Sequence, residues 1–202
     1  MEFWLAKDPL VLASASEVRR AILAAAGIPL ETVPPRIDER AIVNRSGLRA
    51  GAEIAALLAR EKAFATAARI PDRLVLGADQ TLALETEVFS KPQDVAGARA
   101  QLKRLRGKTH ALHAAIALAR GGALLFEERA TARLTMRDFS DEFLEAYLAA
   151  AGAAVTASVG AYQLEKLGIH LFEEIAGDHF TILGLPLLRL LDFLRRNGFL
   201  VA

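Results

Sequence analysis

The stretch Leu10-Val11-Leu12-Ala13-Ser14-Ala15-Ser16-Glu17-Val18-Arg19-Arg20 sets the architecture, because its residue pattern changes character partway along. Leu10 to Ala13 is an unbroken apolar run suited to a buried strand. Ser16 stands where a helix N-cap belongs, ahead of Arg19, Arg20, Ile22 and Leu23. Gly27 ends that helix, as a residue tolerant of positive φ does. A buried strand feeding a helix is the repeating unit of an α/β fold.

The same alternation continues outward. An extended stretch runs from Leu30 to Val33 and breaks at Pro34-Pro35. The spacing of Ile54, Leu57, Leu58, Ala65 and Ala68 predicts a long helix over Leu48 to Ala68, with Lys62 at the margin of its apolar stripe. Leu74 to Ala78 reads as a second buried strand ending at Asp79, and Thr81 to Phe89 as a strand pair turning near Glu85-Thr86-Glu87. Asp94 caps a helix that runs to Leu105 and stops at Gly107. His110 to Ala119 and Leu124 to Thr135 form two strands joined at Gly121-Gly122. A helix opens at Ser140, strand-like segments follow at Ile169 to Ile175 and His179 to Leu183, and a last helix starts at Pro186. Short hairpins and long crossovers together predict an α/β fold with a mixed sheet, over residues 1–202 without a linker.

Composition narrows the function. Hydrophobic residues make up 53% of the 202, enough for a substantial core. The net charge of +1 gives no general field for nucleic acid or an anionic membrane, so a bound anion must be held by locally placed cations. Without cysteine there are no disulfides and no thiolate metal sites. The alanine-rich stretches carry charges too often for a membrane span. The start Met1-Glu2-Phe3-Trp4-Leu5-Ala6-Lys7 lacks a secretory pattern, so a cytoplasmic location is expected.

Three polar segments follow apolar strands, where open α/β sheets bind ligands. In the first, Ser14, Ser16 and Arg19 surround a helix start, which favours phosphate; a capping serine and a solvated arginine explain the same letters. In the second, Gly77-Ala78-Asp79-Gln80-Thr81 is followed by Lys91-Pro92. A carboxylate there can hold Mg²⁺ or take a proton from water, and the lysine can neutralise phosphate. A turn aspartate with an exposed lysine is the plainer reading. The third combines Gly160-Ala161-Tyr162-Gln163-Leu164-Glu165 with Gly177-Asp178 and Gly184-Leu185-Pro186; Tyr162 can pack on a base or serve the core. His110, His113, His170 and His179 lack metal-ligand spacing, and His110 and His113 fall on opposite faces of one strand.

Taken in order, these segments resemble the Maf family, whose members are often labelled septum-formation inhibitors. The resemblance also covers Ile37-Asp38-Glu39, Glu61-Lys62-Ala63 and Leu105-Arg106-Gly107-Lys108-Thr109-His110. It implies a Maf/inosine-triphosphatase-like fold, an elongated mixed sheet with flanking helices and two lobes around a nucleotide cleft. It implies hydrolysis of nucleoside triphosphates to monophosphate and pyrophosphate, assisted by Mg²⁺ or Mn²⁺, often in a homodimer. By that resemblance Asp79 accepts the proton of the attacking water. Ser14, Arg19, Lys62 and Lys91 bind phosphate, and Glu39 helps Asp79 to place the metal.

Three positions bear on the base. The stretch that most often reads Ser-Pro-Arg-Arg in the family is Ser16-Glu17-Val18-Arg19 here. Members that prefer dTTP and UTP carry arginine, threonine and glutamine where this chain has Val18, Gln80 and Glu165. The pair Gln80 and Glu165 resembles the branch acting on 7-methyl-GTP, although tryptophan rather than valine is usual there at the first position. A glutamate can accept from guanine N1–H and its exocyclic amine, whereas uracil offers one ring N–H. A dTTP/UTP-type pyrophosphatase and a non-catalytic nucleotide-binding regulator of division stand as alternatives. A nucleic-acid binder fits neither the charge balance nor the sparse aromatics.

Overall fold

The structure is a computed structural model describing residues 3–202; Met1 and Glu2, within the stretch read against a secretory signal, lie outside the described residues. Seven strands form one mixed sheet in the order β2-β1-β3-β5-β6-β7, with β4 paired to β3. The strands are β1 (Leu10–Ala13), β2 (Leu30–Thr32), β3 (Val75–Leu84), β4 (Glu87–Phe89), β5 (Thr109–Arg120), β6 (Ala123–Met136) and β7 (Phe172–Ala176). The helices are α1 (Glu17–Ala25), α2 (Glu39–Ser46), α3 (Gly51–Ala67), α4 (Val95–Leu105), α5 (Asp141–Ala151), α6 (His179–Ile182) and α7 (Leu187–Arg196). Flanking helices on a long mixed sheet are the architecture the sequence predicted. Among the described residues, no helix is long and apolar enough to cross a membrane.

Three expectations are corrected, the first being the strand read from Ile169, which begins only at Phe172 behind a 3₁₀ turn over Leu167–Leu171. No strand ends at Asp79: β3 runs through it to Leu84, paired along its length with β5. The segment from His179 is a short helix, because the Asp178 carboxylate accepts from the Thr181 amide and caps it.

β3 explains why a polar site can sit inside a sheet. Val75 to Gly77 pair with parallel β1, and Leu82 to Leu84 pair with antiparallel β4. Between them, Ala78 to Thr81 have a strand neighbour only on the β5 side. The sheet therefore splits there, as it does at the switch points where α/β folds bind ligands. Strand alternation sends Gly77, Asp79 and Thr81 towards α3, where Thr81 donates to the Gly51 carbonyl at 2.9 Å. Gln80 points the other way and donates to the Thr181 and Ile182 carbonyls of α6.

Each face has its own core. On one, Ala55, Ala59, Ala63 and Ala67 form a fully buried alanine row along α3, at the spacing that keeps one helical face. This row packs on Val11, Val75, Ala115 and Ala117. Small side chains on both surfaces let the helix lie close to the sheet. Gly77 completes the fit: a Cβ there would stand 2.1 Å from the Ala59 carbonyl oxygen and 2.6 Å from the Ala63 amide nitrogen. On the other face, α1 and α7 bury Leu23, Leu187, Leu190 and Leu194 against Leu10, Leu12, Leu76 and Leu118. Beyond the split, α4 and α5 cover Leu82, Leu112, Leu134 and Met136 in a third cluster.

Candidate active site

A cleft of about 1120 Å³ opens where β3 loses its neighbour. Its walls come from the β1–α1 turn, α2, the start of α3, the middle of β3, the β4 end and the loop that follows α5. Ser14, Val18, Arg19, Glu39, Lys62, Asp79, Gln80, Lys91 and Glu165 all line it.

At its floor sits a charged cluster. The Lys62 ammonium donates to Asp79 Oδ1 at 2.6 Å and lies 2.9 Å from Glu39 Oε1. Lys62 is 6% exposed and Asp79 7%, while Glu39 is open to solvent. The sequence placed Lys62 at the margin of the apolar stripe of its helix, its stem over buried surface; α3 buries that stem and carries the charged end to β3. Burial pushes the Asp79 carboxyl above the ordinary carboxylate range, and Lys62 and then Arg19 draw it partway back. Glu39 arrives on the first turn of α2, whose N-cap is Asp38, with Oδ1 accepting from the Ala41 amide at 2.9 Å.

Arg19 braces the split. Its Nε donates to the Gly184 carbonyl at 2.8 Å, and its Nη1 donates to Ala78 O at 2.9 Å and Ser14 Oγ at 3.1 Å. The Ala78 carbonyl, left without a strand partner on that side, thus gains a charged donor. Nε and Nη1 are thus committed to the protein, and Nη2 is the nitrogen that remains for a phosphate. Burial lowers the pKa of this guanidinium, opposed by Asp79 and Glu39. Gly184 has φ +87°, and a Cβ there would press to 3.1 Å from Arg19 Nη2, so Gly184-Leu185-Pro186 needs its glycine. Ser14 Oγ accepts from Arg19 and from the Ser16 amide, which leaves its hydroxyl hydrogen for a ligand oxygen.

The remaining residues stand apart from the cluster. Lys91 is exposed on the rim, Val18 forms wall, and Glu165 is exposed on the loop after α5. Gln80 has its amide nitrogen held by two α6 carbonyls, so its oxygen is the group turned away from them. Tyr162 serves the core: it is 5% exposed, its hydroxyl lies 2.7 Å from His110 Nε2, and its ring meets Phe172 edge-on. Arg40, Asn44 and Arg49 also line the cleft, and sequence reasoning missed them with α2 itself. The signals were present in Asp38 as cap and Gly47 as the left-handed stop.

Two carboxylates reaching one ammonium converge on a single point. Among the described residues, no group of three or more histidine or acidic side chains could hold a metal ion. Mg²⁺ commonly takes one or two carboxylates and completes its shell with phosphate and water. Glu39 and Asp79 fit that partial donor set, and they are the residues that would hold the ion.

Fold and cleft together define an α/β protein whose sheet parts around a buried ammonium–carboxylate cluster. The family model described as Maf-like protein matches residues 9–197, and the chain belongs to that family. It is 56% identical over 200 residues to the nucleoside triphosphate pyrophosphatase of Rhodopseudomonas palustris (strain BisB18), covering 99% of each chain. It is 48% identical over 192 residues to the 7-methyl-GTP pyrophosphatase of Rhizobium johnstonii, covering 94% of this chain and 96% of that protein. Among solved structures, a HAM1 protein from Coxiella burnetii aligns with a TM-score of 0.44 at 18% identity, over 64% of this chain and 73% of that one.

Proposed function

We propose that this chain hydrolyses nucleoside triphosphates between the α- and β-phosphates, releasing a monophosphate and pyrophosphate. The observation that carries the reading is the meeting of Asp79, Lys62 and Glu39 at the floor of a nucleotide-sized cleft that Ser14, Val18, Arg19, Gln80, Lys91 and Glu165 also line. The names of the close relatives point to the same reaction.

In this mechanism Asp79 accepts the proton of the water that attacks the α-phosphorus. Its raised proton affinity suits a base better than an ordinary surface aspartate. Negative charge spreads over the phosphate oxygens as the bond to the leaving pyrophosphate breaks, and Lys62, Arg19 Nη2 and Lys91 stabilise it. Ser14 donates its hydroxyl to a phosphate oxygen. A divalent cation held by Glu39 and Asp79 would supply further charge neutralisation and lower the pKa of bound water.

For the base, the loop after α5 presents the Glu165 carboxylate and β3 presents the Gln80 amide oxygen, both acceptors. Acceptors favour a base rich in N–H donors, so a guanine-type nucleotide, 7-methyl-GTP included, is the proposed substrate class. Cytoplasmic residence and a homodimer belong to the same proposal.

A panel of standard and modified triphosphates, assayed for pyrophosphate with Mg²⁺ or Mn²⁺, tests the reading. Glu165→Gln is expected to lower kcat/KM for guanine-type substrates about tenfold relative to pyrimidines, roughly one charged hydrogen bond. Equal losses on both would remove the base assignment. Tight nucleotide binding without pyrophosphate release across the panel would instead favour a non-catalytic regulator.

A further inference from the structure

Lys62 occupies the one place where Glu39 and Asp79 converge. Its Nζ lies 2.6 Å from Asp79 Oδ1 and 2.9 Å from Glu39 Oε1, and it is buried. A Mg²⁺ ion needs carboxylate oxygens at about 2.0–2.1 Å, so ammonium and ion compete for the same space and lone pairs. Charge makes the competition sharper. Glu39 and Asp79 carry two negative charges, and Lys62 and Arg19 return two positive ones. Arg19 is tied to the Ala78 carbonyl next to Asp79 and acts on both carboxylates. The cluster is already neutral without a metal. Nor do the described residues supply a third acidic or histidine ligand.

We infer that Lys62 bars a free divalent cation from the Glu39–Asp79 pair, so that cation and nucleotide enter the cleft together. The inference rests on the metal-assisted reading above. The arriving triphosphate brings the missing negative charge and offers Lys62 a phosphate oxygen in place of a carboxylate. Lys62 thus exchanges partners as the substrate docks, and the same side chain that closes the empty site stabilises the filled one. The alanine row of α3 makes this possible by setting the helix close enough for a lysine to span both carboxylates.

Calorimetric titration with MnCl₂ alone, without nucleotide, tests this. Lys62→Met is expected to bind Mn²⁺ at least tenfold more tightly than the unaltered chain. Lys91→Met, which removes the same charge from the rim, is expected to change affinity less than threefold. Equal affinity of the unaltered chain and Lys62→Met, or an equal gain in Lys91→Met, would overturn the inference. Circular dichroism checks that Lys62→Met is folded, and Lys62→Gln replaces it if it is not. The unaltered chain gives an independent answer. An α,β-methylene triphosphate analogue should tighten Mn²⁺ binding at least tenfold beyond the analogue's own chelation measured without protein, and no such excess would overturn the inference. Pyrophosphate release is measured separately; its absence would remove the pyrophosphatase reading while the titrations still report on Lys62.

Discussion

Replacing Gly77 by alanine probes the contact that brings Lys62 to Asp79. A glycine inside a strand is ordinarily less stable than alanine by roughly 0.5–1 kcal/mol, so an unhindered substitution would stabilise the protein. Here the new Cβ would lie 2.1 Å from the Ala59 carbonyl oxygen, against a closest ordinary approach of 3.0 Å. The helix must retreat by at least the difference, 0.9 Å, since the obstructing atom is backbone and cannot rotate aside. Overpacking of this kind costs about 1–3 kcal/mol, which exceeds the propensity gain and fixes the sign. The retreat falls within one turn of Lys62 and acts on its 2.6 Å bond to Asp79. A misplacement of about 1 Å at a reacting centre lowers turnover roughly a hundredfold. Urea denaturation and pyrophosphate release from the same preparation read both effects. Gly122→Ala, where a Cβ meets nothing within 4 Å, serves as control and is expected to change neither. Stability equal to or above that of the unaltered chain, with turnover unchanged, would refute the close seating of α3 as the source of the site geometry.

Two further outcomes concern pH. Burial depresses the His110 pKa to about 4, from an ordinary value of 6.5. A histidine kept neutral by the fold contributes stability that is present above pH 6.5 and is lost as pH falls towards 4, about 3 kcal/mol in full and roughly 2 kcal/mol by pH 5. Denaturation at pH 7 and pH 5 should show that loss in the unaltered chain and not in His110→Phe; equal losses in both would remove His110 as the cause. Asp79 must be ionised to accept a proton, and its pKa is raised from 3.8, so the acid limb of kcat/KM should fall at a pH above 3.8. A limb at or below that value would mean another group sets it.

The sequence made the strands legible because their apolar runs are dense: Leu10 to Ala13 and Leu74 to Ala78 fall where β1 and β3 lie. It misplaced the end of β3 because Asp79, Gln80 and Thr81 break the apolar pattern. Their polarity is met by Lys62, the α6 carbonyls and the Gly51 carbonyl, contacts that come from distant segments. α2 escaped notice since it has no buried residue to create a periodic stripe, and α6 because four residues are too few to show one. Arg40, Asn44 and Arg49 lie outside the ordered motifs; the other cleft residues named above were readable through them. Which of them touch was not, because the Lys62–Asp79 contact depends on how closely α3 lies on the sheet. Arg19's internal role stayed hidden for a related reason: an unpaired strand carbonyl at Ala78 exists only once β1 and β4 have taken their places.

Product analysis of the unaltered chain beside Asp79→Asn tests the central claim most directly. With a guanine-type triphosphate and Mg²⁺, phosphorus NMR should show monophosphate and pyrophosphate from the unaltered chain. Asp79→Asn should turn over at least about a hundredfold more slowly, the scale of a lost general base, while its thermal transition confirms a folded protein. Diphosphate and orthophosphate as products, or undiminished turnover by folded Asp79→Asn, would contradict the account.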